Sequence, residues 1–97
     1  MDVFGNIKNN KLSVANGAAG DYDMSAVVST EKLVKITADT DIHVLLTPAS
    51  STTDATVDDY LISANEEREF SVGRALDRIS VFNNSGGASV VYIAILY

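Results

Sequence analysis

The last stretch of the chain, Ser89 to Tyr97, reads S-V-V-Y-I-A-I-L-Y and constrains the fold more than any other. Val90, Val91, Ile93 and Ile95 are β-branched, and no Gly, Pro or charge interrupts the run. A segment this short, set just after Gly86 and Gly87, reads as a strand rather than a helix. Side chains alternate across a strand, so Val90, Tyr92, Ala94 and Leu96 share one face, and Val91, Ile93, Ile95 and Tyr97 share the other. Both faces are apolar. A small domain has one core, so one face goes inward and the other needs a cover. That cover is either a second chain or the second sheet together with the N-terminal segment.

The rest of the chain supplies short strands and polar turns. Leu33 to Ala38 alternates with Val34, Ile36 and Ala38 inward, and Ile42 to Thr47 alternates with Ile42, Val44 and Leu46 inward, the two joined by Asp39-Thr40-Asp41. Pro48 ends the second strand because it has no amide to donate. Ala49 to Asp59 is a Ser/Thr/Asp/Ala loop without periodicity, the longest exposed excursion expected. Tyr60 to Ser63, Glu69 to Val72 and Arg78 to Phe82 follow as strands, separated by turns at Ala64–Glu67 and Gly73–Asp77. Asn65 to Arg68 offers at most one helical turn. Asn83-Asn84-Ser85-Gly86-Gly87 makes the last hairpin loop. Such spacing predicts an all-β chain, a small antiparallel β-sandwich or jelly-roll-like domain over residues 30–97.

Residues 1–29 differ. Gly5, Gly17 and Gly20 and Asn6, Asn9, Asn10 and Asn16 fall here, and Leu12 and Val14 are the clearest strand-like residues. The stretch Asn16 to Asp21 has the chemistry of a turn or linker. The expectation is an extended N-terminal arm with at most one or two short strands, anchored by Val3, Phe4, Ile7 and Tyr22. An arm must gain in contacts what it loses in ordering entropy.

Charge and composition narrow the function classes. A net charge of -6, with neither half basic, disfavours nucleic acid and anionic membranes as partners. No cysteine is present, which removes disulfides and thiolate metal sites. The first residues, M-D-V-F-G-N-I-K, lack the cationic start and apolar core of a signal peptide. His43 is the only histidine and has no second imidazole or thiolate to share a metal. Asp39, Asp41, Asp54, Asp58 and Asp59 sit in loops, where calcium favours carboxylates, but turns favour Asp equally and the glycine-pivoted calcium loop is missing. Glu66, Glu67 and Glu69 read as a solvated hairpin tip rather than a glycosidase pair. Gly86-Gly87 is followed by a strand without Lys-Ser/Thr, so it is a turn and not a phosphate loop. No catalytic, metal or cofactor residue is predicted.

Ile36-Thr37-Ala38, Asp39 to Val44, Ala55-Thr56, Leu61 to Asn65, Glu69 to Val72, Arg78 to Val81 and Ser85 to Leu96 together form a frame of strands and turns. That frame, spanning about two-thirds of the chain, resembles small virion proteins of tailed bacteriophages. The resemblance implies a capsid decoration (cement) or head-associated protein, a homotrimer docked on the major capsid protein or another virion protein. It implies a place on the virion surface after synthesis in the host cytoplasm. The expected contact residues are Val3, Phe4 and Ile7 in the arm and Val91, Ile93, Ile95 and Tyr97 in the last strand. The competing expectation is a carbohydrate- or receptor-binding β-sandwich module of a phage tail, neck or fibre, with Tyr60 and the Ala49–Asp59 loop as its candidate site.

Overall fold

A computed structural model describes residues 7–25, 32–73 and 76–96. Its strands are β1 (Ile7–Val14), β2 (Ala18–Asp23), β3 (Lys32–Ala38), β4 (Ile42–Thr47), β5 (Tyr60–Ile62), β6 (Arg68–Val72), β7 (Arg78–Asn83) and β8 (Ser89–Leu96). They form two four-stranded sheets, β1-β8-β3-β6 and β2-β7-β4-β5, and every strand pair is antiparallel. Each connection crosses between the sheets except β4 to β5, which stays within one. Eight strands in this order are a jelly roll. The all-β expectation holds, and no helix occurs among the described residues; Asn65 instead adopts a left-handed conformation (φ 63°) and donates its amide to the Ala38 carbonyl at 2.7 Å.

Between the sheets lies an aliphatic core. Val34, Ile36 and Ala38 of β3, Ile42 and Val44 of β4, Ile79 and Val81 of β7, and Val91, Ile93 and Ile95 of β8 are all buried there. The inward residues expected for β3 and β4 are the inward residues found, with Leu46, and Phe70 of β6, packed against the core's margin. For β8 the residues expected to make subunit contacts, Val91, Ile93 and Ile95, are the ones that turn inward. Residues directly opposite one another in an antiparallel pair share a face. The register sets Ala38 opposite Val91, Ile36 opposite Ile93 and Val34 opposite Ile95, so the inward face of β3 dictates the inward face of β8. Val91, Ile93 and Ile95 are therefore core of this single chain, and the exposed side of β8 carries Tyr92.

Residues 7–25 are woven into both sheets. β1 runs along β8 from Ile7 opposite Leu96 to Val14 opposite Ser89. A turn at Ala15–Ala18, closed by Ala18 N–H to Ala15 O at 3.2 Å, passes through Gly17 at φ 74° and leads to β2 on β7. Positive φ is why Asn-Gly suits this corner. β2 is the strand that the sequence conceals: A-A-G-D-Y-D has no β-branched residue, and its backbone is recruited by β7. Gly20 is closely packed: a Cβ there would meet Val14 Cγ2 at 3.2 Å, so the Val14 side chain would have to give by a few tenths of an ångström. Behind it, Asn10 Nδ2 donates to the Tyr22 hydroxyl at 2.7 Å and ties β1 to β2 across the sandwich.

Candidate functional site

Polar side chains were the first candidates for chemistry, and the structure employs several of the carboxylates as acceptors for backbone amides. Asp39 Oδ1 accepts from Val90 N–H at 2.9 Å, and Asp41 Oδ1 from Ala64 N–H at 2.8 Å. Asp59 Oδ2 accepts from Thr56 N–H at 2.7 Å, and Asp77 Oδ1 from Ala49 N–H at 2.7 Å. These bonds satisfy turn amides that no ladder reaches. Among the described residues no group of His, Asp and Glu is arranged to hold a metal ion. Glu66 and Glu67 face cations instead: Glu66 Oε2 lies 2.8 Å from Arg68 Nη2, and Glu67 Oε1 3.8 Å from Lys35 Nζ.

The Ala49–Asp59 loop is not the free excursion its composition suggests. It folds back over the outer side of β7, where Ala55 is buried and its amide donates to Ser80 Oγ at 2.8 Å. Arg78 latches it. Nη1 donates to Thr53 O at 2.8 Å and Thr47 Oγ1 at 3.1 Å, Nη2 to Asp54 Oδ1 at 2.8 Å, and Nε to Asp21 Oδ2 at 3.0 Å. Burial opposes the Arg78 charge, yet its bonds to Asp54 and Asp21 outweigh that penalty and leave its pKa raised. Sequence reading missed this residue as an organiser, since a lone Arg opening a strand carries no signal of its four partners.

What remains outward are two sheet faces. On the β2-β7-β4-β5 sheet, register aligns Ala19 with Phe82, Phe82 with His43, and His43 with Leu61, one side chain from each strand. Phe82 and His43 are half-buried, their rings 6.5 Å apart, and Leu61 is 50% exposed. His43 Nδ1 sits 3.1 Å from Asp59 O, and the turn carrying Asp59 also presents Val57, 50% exposed. Ala19, Phe82 and Leu61 make the row mostly apolar around His43, and Asp41 and Asp58 of the adjoining loops are exposed.

On the β1-β8-β3-β6 sheet the face turned from the core carries Val90, Tyr92, Ala94 and Leu96 of β8, Leu96 itself buried, flanked by Lys11 of β1 and Leu33, Lys35 and Thr37 of β3. Tyr92 is 47% exposed, with Lys11 Nζ 5.8 Å from its ring centroid. A depression of about 250 Å³ lies beside it, lined by Tyr92, Ala94, Thr37, Lys35 and Glu67 together with residues Asn10 and Ile93.

The residues expected to make contacts are thus divided. Val91, Ile93 and Ile95 are inside, so an accessible contact on β8 falls to the opposite face. Ile7 opens β1 through backbone pairing with Leu96, whereas Val3, Phe4 and Tyr97 lie outside the described residues. Tyr60, the expected sugar platform, closes the sandwich edge: its ring meets Phe70 edge-on at 5.8 Å, and its hydroxyl accepts from Arg68 Nε at 3.2 Å. That bond, with Glu66, raises the Arg68 pKa.

No family model matches the chain, and no curated protein does. Among solved structures it is similar to a de novo designed double-stranded β-helix determined by solution NMR, with a TM-score of 0.62 and 18% identity over 91% of this chain and 97% of that one. It is also similar to a Bacillus endospore appendage from a novel family of disulfide-linked pili, with a TM-score of 0.54 and 14% identity over 94% of this chain and 87% of that one. At such identities the likeness establishes the fold: two antiparallel four-stranded sheets closed into a sandwich.

Proposed function

We propose that this protein is structural rather than enzymatic: a jelly roll that associates as a homotrimer and docks on a larger protein shell, decorating or cementing a bacteriophage capsid. The observation that supports this reading is the outward row of the β2-β7-β4-β5 sheet. Leu61 and Phe82 flank His43 in this row, the neighbouring turn exposes Val57, and Asp41 and Asp58 are exposed carboxylates of the adjoining loops. Stable protein interfaces share that anatomy, an apolar middle depleted of charge within a polar surround. The frame of strands and turns that resembles phage virion proteins supplies the setting, and the acidic exterior argues for a protein partner over nucleic acid.

The test is light scattering across a concentration series, followed by binding to capsid shells that lack the protein. The wild type is expected to be trimeric and to bind the shells. Leu61→Glu and Val57→Glu are expected to weaken both while leaving the thermal unfolding curve in place, since both positions are exposed. A wild-type monomer at every concentration that also ignores shells would sink the proposal.

A further inference from the structure

We infer that the depression beside Tyr92 is a binding site for a neutral saccharide. It lies on the sheet opposite the Leu61 row and does not depend on the docking role. Three features of the site carry the inference. First, Ala94 is the small outward side chain between the larger Tyr92 and Leu96 on β8, and it leaves the hollow of about 250 Å³ that Tyr92 walls on one side. Second, the wall is aromatic and accessible at 47%, with Lys11 Nζ held 5.8 Å from the ring centroid on the β1 side. Third, the far side is polar: Lys35 Nζ and Glu67 Oε1 stand 3.8 Å apart, Lys35 lies opposite Ala94, and Thr37 lies opposite Tyr92.

A pyranose ring presents a face of C–H groups and a rim of hydroxyls that both donate and accept. The C–H face suits the Tyr92 ring, and the rim suits an ammonium that donates, a carboxylate that accepts and a hydroxyl that does either. The Lys35–Glu67 pair is loose and solvent-facing, so both groups keep hydrogen-bonding capacity for a ligand. Lys11 and Lys35 are matched by Glu67 and by Glu69, which lies opposite Lys35 on β6, so this face carries no net charge and favours a neutral sugar over a sialylated or phosphorylated one. A concave site with an apolar wall and a few convergent polar groups is the general form of a small-ligand pocket.

Saturation-transfer NMR on the full chain tests this, with a panel of neutral di- and trisaccharides of glucose, galactose and N-acetylglucosamine, and sialyllactose as the anionic comparison. Backbone shifts report the location. The expected result is transfer to at least one neutral saccharide, with shifts confined to Tyr92, Ala94, Thr37 and Lys35. Tyr92→Phe is expected to keep binding, Tyr92→Ala to weaken it about tenfold, and Ala94→Leu to block it by filling the hollow, each with an otherwise native spectrum. Leu61→Glu is expected to leave saccharide binding unchanged, which separates this site from the docking row. Absence of transfer to every neutral saccharide overturns the proposal. So does binding unaffected by Tyr92→Ala, a preference for sialyllactose, or shifts that map to another face.

Discussion

Arg78 and Asn83 sit at the two ends of β7 and hold different parts of the molecule. Arg78 spends all of its donors described above on the 49–59 loop, Thr47 and Asp21, so Arg78→Met should free the loop and cost about 2–3 kcal/mol. Amide hydrogen exchange would read this as lost protection at Ala55 with β8 still protected. Asn83 is fully buried: Nδ2 donates to Val14 O at 3.0 Å and Gly87 O at 2.7 Å, and Oδ1 accepts from Ser85 N–H at 3.1 Å. Asn83→Ala leaves those carbonyls without their donor and should cost about 2–3 kcal/mol, a fall in melting temperature of roughly 10–20 °C. Asp23 gives the pH dependence. Hydrogen bonds from Ser25 hold its carboxyl below the ordinary 3.8. Its stabilising contribution is therefore complete above that ordinary value and is lost as pH falls through the depressed one. Ser25→Ala should move the Asp23 titration, followed by side-chain carboxyl NMR, upward.

At the scale of the element, β8 carries the sharpest test, because its two faces have opposite fates. Ile93→Asp places an unpaired carboxylate among Ile36 and its neighbours and should unfold the chain, since several kcal/mol is comparable to the stability of a small domain. Tyr92→Asp, one residue away on the exposed face, should leave the far-ultraviolet spectrum and the melting curve nearly unchanged. If Tyr92→Asp were the more damaging of the two, the assigned facing of β8 would be wrong. β2 depends on its neighbours in another way. Gly20→Val would drive a branched side chain toward Val14 Cγ2 and Leu12, and the sheets would have to part at that corner. Its expected effect is a loss of 1–3 kcal/mol in denaturant unfolding, the usual cost of overpacking.

For the whole molecule, the jelly roll joins the two ends of the chain: Ile7 pairs with Leu96, so β1 closes a sheet whose centre is the final strand. Deleting residues 1–14 is therefore more than the trimming of an arm. It uncovers a full edge of β8 and removes Val14 from the core, and the product should lose the cooperative thermal transition in circular dichroism. Pairing between chain ends also pays loop-closure entropy before any contact rewards it, which predicts folding in the millisecond-to-second range by stopped-flow fluorescence.

The amino-acid sequence by itself determined the all-β class, the positions of β3 through β8 to within a residue or two, and the inward faces of β3 and β4. Alternation and turn chemistry are local, and a chain of short β-branched runs has few other ways to bury them. It also determined that β8 would be apolar on both sides. Only the tertiary structure decided which of those sides is core, because that follows from the register with β3 rather than from β8 itself. β2 was hidden for the same reason: Ala18 to Asp23 becomes a strand through backbone bonds to β7, which no side-chain pattern advertises. The hollow beside Tyr92 and the Arg78 latch belong to this class too. Lys35, Thr37, Glu67 and Tyr92 come from three separate stretches, and Arg78 meets Asp21, Thr47, Thr53 and Asp54, so each site exists only once strand pairing within its sheet has brought distant residues side by side.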